Sequence, residues 1–138
     1  MRARFLLSRL HVLCFPVLFA SAPALAVDHP VSVGSGGFNY SPQTVNANVG
    51  DTITFTNAGG FHNVATDPGA AQSFRCANGC DGAGGNGNLS GSLWSATVTL
   101  TTVGTIGYHC EQHGTPGNGM FGTIIVATPV SLQKFDVE

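Results

Sequence analysis

Apolar alternation with period two recurs along almost the whole chain, and no stretch shows helical periodicity. Val31 and Val33 open the pattern, and Val45, Ala47 and Val49 continue it. Ile53 and Phe55 alternate with Thr52, Thr54 and Thr56, and His62, Val64 and Thr66 form a short candidate. Trp94, Ala96, Val98 and Leu100 alternate most clearly, with Trp94 expected in the core. Ile106, Tyr108 and Cys110 share the inner face of the next strand while His109 points away, and Gly122 to Val126 closes the series. Turn residues separate these runs, as at Gly50-Asp51 and Asp67-Pro68-Gly69. Seven to eight short strands so punctuated predict an all-β sandwich. Asp67 to Gly91 breaks the rhythm and is expected to be an irregular excursion with one helical turn near Ala70 to Phe74. The tail 127–138 is either a further edge strand or a frayed end.

Residues 1–26 read as a secretory signal peptide. Arg2, Arg4 and Arg9 precede a largely apolar stretch from Val12 to Ala20, and Ala24-Leu25-Ala26 supplies a small-x-small cleavage site. The stretch falls short of the roughly 20 apolar residues that a spanning helix needs. Cleavage would start the mature chain at Val27, leaving 27–138 as a single domain with no membrane span. The expected location is outside the cytoplasm, in a periplasm.

The leader carries three of the five basic residues, so Arg75 and Lys134 alone face all seven carboxylates beyond it. With no basic cluster, nucleic acid is not an expected partner. Three cysteines remain after export: Cys76, Cys80 and Cys110. The odd count leaves one thiol to be explained. Cys76-Ala77-Asn78-Gly79-Cys80 could be a disulfide, a second metal site or a redox pair, with a disulfide the default in an oxidising compartment. In that case Cys110 is the odd one.

Cys110 lies in the densest chemistry of the chain, Tyr108-His109-Cys110-Glu111-Gln112-His113, with Met120 beyond and His62 far upstream. Two imidazoles, a thiolate and a weak thioether make the donor set that suits a copper electron-transfer site. Cys110, His113 and Met120 are expected from one loop at one end of the sandwich, with His62 brought there by another strand end. His29 and His109 stay unassigned.

Here the chain resembles the plastocyanin-like cupredoxins, the small blue copper proteins. The likeness is carried by Phe38-Asn39-Tyr40-Ser41-Pro42 running into Val49-Gly50-Asp51-Thr52-Ile53-Thr54-Phe55-Thr56-Asn57. It is carried also by Gly60-Phe61-His62-Asn63-Val64 and by the run from Tyr108 through Met120-Phe121-Gly122. It implies a Greek-key cupredoxin sandwich and one copper ion at His62, Cys110, His113 and Met120. Asn63 would tie the His62 strand to the cysteine loop. The implied function is one-electron transfer between a donor and an acceptor protein docking near His113, where Phe61, Gly114, Pro116 and Gly117 would form an apolar collar. Two departures stand out. Six residues separate His113 from Met120, where plastocyanins usually have four, and His109 stands where they typically carry tyrosine.

Other readings are weaker. A thiol enzyme built on Cys110 and a histidine would lack an orienting Asn or Asp and leave Met120 idle. The four protein donors close the site to substrate, so the chain is expected to be a carrier and not an enzyme, acting as a monomer. Copper storage or delivery is the alternative.

Overall fold

The computed structural model describes residues 25–130, and within them the alternation resolves into ten strands with no helix. These are β1 (Asp28–Val33), β2 (Tyr40–Ser41), β3 (Thr44–Asn48), β4 (Thr52–Asn57), β5 (Val64–Thr66), β6 (Arg75–Ala77), β7 (Gly79–Cys80), β8 (Ser95–Thr99), β9 (Gly104–Thr115) and β10 (Asn118–Ala127). The count exceeds the seven to eight expected because β2, β6 and β7 are too short to show a period. The signal segment, apart from Leu25 and Ala26, lies outside the described residues, as does the tail beyond Val130.

One sheet has the order β2-β1-β4-β8 and the other β3-β10-β9-β5-β6-β7. β1 runs parallel to β4 with Val31 opposite Phe55, and β3 runs parallel to β10 with Val45 opposite Ile124. The remaining pairings are antiparallel. Period two puts one row of each strand into the gap between the sheets. Val31, Val33, Ile53, Phe55, Val98 and Leu100 meet Val45, Ile106, Tyr108, Ile124 and Val126 there, all buried. Burying each large aliphatic or aromatic side chain favours folding by about 1.5–3 kcal/mol. Tyr108 lies at the centre, edge-on to Tyr40 and Phe55. Trp94 is buried as expected.

The excursion is more ordered than its composition suggests. No helical turn forms near Ala70 to Phe74. Gly69 takes a positive φ of 83°, and the Ala71 N–H bonds sideways to the Thr105 carbonyl at 3.0 Å. The chain then forms β6 and β7, which extend the second sheet. Cys76 and Cys80 stand opposite each other there and form the disulfide.

The two ends of the sandwich differ. At one, the buried carboxylate of Asp51 accepts from the backbone N–H groups of Asn48 and Val27 and faces His29 Nε2 at 3.1 Å. At the other, β1 and β4 end, His62 and Asn63 lead into β5, and the β9–β10 hairpin projects.

Candidate metal centre

The hairpin is where the donors arise. Thr115 and Asn118 pair across a two-residue turn, Pro116-Gly117, in which Gly117 has φ 71°. Proline followed by a left-handed glycine is the signature of a type II turn. Gly114 and Gly119 then pair so closely that a Cβ on Gly119 would lie 2.6 Å from the His113 carbonyl oxygen, and one on Gly114 would collide with that of Met120. The six residues between His113 and Met120 are therefore a zipped hairpin tip. Strand β9 continues through His113 to Thr115, beyond the strand end expected at Cys110.

Regular pairing resumes at His109 and Phe121. Between these two paired rungs, β10 supplies one residue, Met120, while β9 supplies Cys110, Glu111, Gln112 and His113. The result is a large bulge, a device that re-aims side chains at a sheet end. Cys110 and Met120 are fully buried, and His113 is partly exposed.

His62 comes from the other side of the pole. Its backbone N–H and carbonyl both pair with Ser90, at 3.1 Å each. Its Nε2 edge lies against Gly34 and Gly60, where added Cβ atoms would come within 2.6 and 2.5 Å. With that edge walled off by glycine backbone, Nδ1 faces inward. Burial, and then the nearby His113, push the His62 imidazole below its ordinary pKa, which favours the neutral ring with a free lone pair.

Three donor atoms consequently meet. His62 Nδ1 lies 3.1 Å from His113 Nδ1, and Cys110 Sγ lies 3.7 and 3.5 Å from them. The point equidistant from these three atoms is about 2.0 Å from each, close to metal–imidazole bond lengths and slightly under a metal–thiolate one. His29 and His109 contrast with this pair: each faces a carboxylate, His29 toward Asp51 and His109 toward Asp67 at 2.6 Å. Among the described residues, His62 and His113 bond to no carboxylate, only to each other and a thiol. The cluster fits a soft metal ion, and thiol with imidazole fits copper.

The surroundings fix the donors. Asn63 Nδ2 donates to Glu111 Oε2 at 2.6 Å and to the Gly87 carbonyl at 2.9 Å, while the Glu111 N–H donates to Asn63 Oδ1. These bonds join the His62 strand to the cysteine loop. Phe38 stacks on His113 with centroids 4.1 Å apart and 13° between planes. The sequence reading gave no role at the site to Phe38 or to Arg75, which clasps Glu111 from β6. An available signal was that Arg75 is the only fixed cation between the leader and Lys134. Phe38, Phe61 and Leu93 are exposed, as are Pro116 and Gly117.

A two-sheet sandwich with one thiol and two imidazoles converging at its pole defines a mononuclear copper protein of the cupredoxin class. The family model for copper-binding proteins of the plastocyanin/azurin family matches residues 27–127, and the chain belongs to that family. Chloroplastic plastocyanin from Chlamydomonas reinhardtii is 36% identical over 106 residues, 75% of this chain and 70% of that one. Plastocyanin from Prochlorothrix hollandica is 34% identical over 116 residues, 80% of this chain and 81% of its own. Among solved structures, the Cu(I) form of an amicyanin mutant superposes with a TM-score of 0.53 at 26% identity, covering 79% of this chain and 90% of that one. Copper is the metal this family binds, and the donor set here suits it.

Proposed function

We propose that this chain is an exported one-electron carrier whose copper ion is held by His62, Cys110, His113 and Met120. The observation that carries the reading is the convergence of His62 Nδ1, His113 Nδ1 and Cys110 Sγ. Copper in such a set supplies reversible one-electron chemistry, since thiolate and thioether favour Cu(I) while imidazole accepts both states. The chain's own residues hold that set rigid. Glycine backbone packs against His62, the hairpin zip and bulge set Cys110 and His113, and Met120 faces the bulge from the buried side. Cys110 and Met120 are closed to solvent, which keeps substrate and oxidant from the sulfurs, so the protein acts as a carrier and not as an enzyme.

His113 is the donor nearest the surface, and Phe38 stacked on it extends the path outward. Redox partners dock on the apolar surface of Phe38, Phe61 and Pro116. Arg75 offsets one of the two carboxylates it pairs with, Asp81 and Glu111, leaving a single net negative charge in this cluster, so docking is governed by apolar burial more than by charge steering. The donor set is complete within one chain, consistent with a monomer. A signal peptide cleaved before Val27 and a periplasmic location complete the reading.

The experiment is a redox cycle on the mature protein carrying one equivalent of copper. Reversible bleaching by ascorbate with the metal retained against a chelator supports a carrier. Slow reduction with rapid loss of copper to the chelator would replace it with storage or delivery.

A further inference from the structure

Backbone pairing does not fix the bulge. Between His109 and Gly114 the β9–β10 ladder has no rungs, so the residues that hold Cys110 and His113 need another restraint. Glu111, directly after Cys110, has one. Its Oε2 receives Arg75 Nε at 3.0 Å, the second Arg75 terminal nitrogen at 2.7 Å and Asn63 Nδ2 at 2.6 Å. The remaining Arg75 nitrogen, Nη1, donates to Asp81 Oδ2 at 3.1 Å and Asn88 Oδ1 at 2.8 Å. All three guanidinium nitrogens are thus engaged, and a planar fork of this kind fixes direction as well as distance.

The anchor behind Arg75 is equally specific. Arg75 pairs with Ala65 on β5, and its neighbour Cys76 is disulfide-bonded to Cys80. Its carbonyl accepts from the Asp81 N–H at 2.9 Å, and Asp81 Oδ1 accepts from the Gly87 N–H at 2.8 Å. A Cβ on Gly87 would collide with the Arg75 carbonyl, so that turn closes directly onto the arginine. The excursion is a cage around one side chain, and the side chain points at the residue next to Cys110.

We propose that Arg75 is a positioning residue for the metal centre: through Glu111 it holds the Cys110–His113 bulge in register with His62, and the disulfide-closed excursion holds Arg75 in place. The proposal rests on the copper reading above. Both partners are about one-third exposed, with Arg75 at 32% and Glu111 at 37%. A pair so exposed contributes little to global stability. The effect belongs in the metal site and not in the unfolding midpoint.

The test uses the exported, copper-loaded protein with Arg75→Met, Glu111→Ala and both together. Cu(I) loss to excess chelator and the reduction potential are measured, with apo-protein unfolding as the control. Partners of metal ligands typically change affinity or activity by about 10–100-fold when removed. Each single variant should release copper at least about tenfold faster, at the low end of that range, and the double variant no faster than the quicker single. Both singles should move the potential in the same direction, while apo unfolding stays near wild type. Unchanged release, or potentials that shift oppositely and cancel in the double, would mean two independent charges and overturn the proposal. Arg75→Lys keeps the charge without the fork and serves if Arg75→Met does not fold. It should behave like the Met variant, and wild-type release from it would also overturn the clamp. A wild-type protein that takes up no copper defeats the copper reading before any variant is compared, and this proposal with it.

Discussion

The β9–β10 hairpin and the excursion from Asp67 to Gly91 both reach the metal pole, by opposite means. The hairpin is a regular ladder with one defect, and that defect presents Cys110, His113 and Met120 together. The excursion has only the short strands β6 and β7 and offers no donor atom. It supplies the Ser90 backbone that pairs with His62, the Gly87 carbonyl that accepts from Asn63, and Arg75 on Glu111. Donor chemistry comes from regular structure bent once, and donor orientation from irregular structure tied by hydrogen bonds. Such outer contacts set ligand geometry without touching the metal.

The sharpest way to break this division is within the hairpin. Cys110→Ser should abolish the intense visible band while circular dichroism reports an intact sandwich, because serine fits the bulge but cannot supply the thiolate. His113→Gly should leave an opening at the surface that added imidazole fills, restoring the band in a concentration-dependent way.

On the excursion side the expected losses are smaller. Replacing both Cys76 and Cys80 by alanine should lower stability by about 2 kcal/mol in denaturant titration, the chain-entropy estimate for so short a ring. Copper should still bind. Back in the hairpin, Gly119→Ala forces a side chain into a φ of 68° and against the His113 carbonyl, and should cost upward of about 1 kcal/mol. Acid distinguishes the regions most gently. The Arg75 guanidinium holds the Glu111 carboxyl below its usual range, and the Gly87 N–H does the same for Asp81. Both folded pKa values are depressed, so the stabilisation is present above the ordinary carboxylate range, near pH 4, and fades as pH falls through the folded values. Hydrogen exchange of the apo-protein should therefore show the amides of residues 75–88 losing protection at pH 3 while the β9–β10 rungs keep theirs.

How much could be read from residues alone follows from the same contrast. Donors were legible because imidazole, thiolate and thioether are rare chemistry at a fixed spacing, and because period two placed Cys110 inward and His109 outward. Asn63 was named through the family likeness. The excursion was not: its order comes from Asn, Asp and Gly bonded to backbone, which leaves no period to detect. The helical turn expected near Ala70 to Phe74 lost to a sideways bond from Ala71 to Thr105. The loop expected after Cys110 is a hairpin, because Pro116-Gly117 closes a turn and Gly114 and Gly119 allow the strands to touch. The Phe38 stack was hidden since 75 residues of sequence separate it from His113.

The central claim is that one thiolate and two imidazoles bind copper as a single centre. Optical and EPR spectra of the mature protein, recorded as Cu(II) is added to one equivalent, test it most directly. The account predicts an intense thiolate-to-copper band that saturates at one copper per chain together with a single EPR species of small copper hyperfine splitting. A weak ligand-field band alone, or an EPR signal retained unchanged in Cys110→Ser, would contradict it.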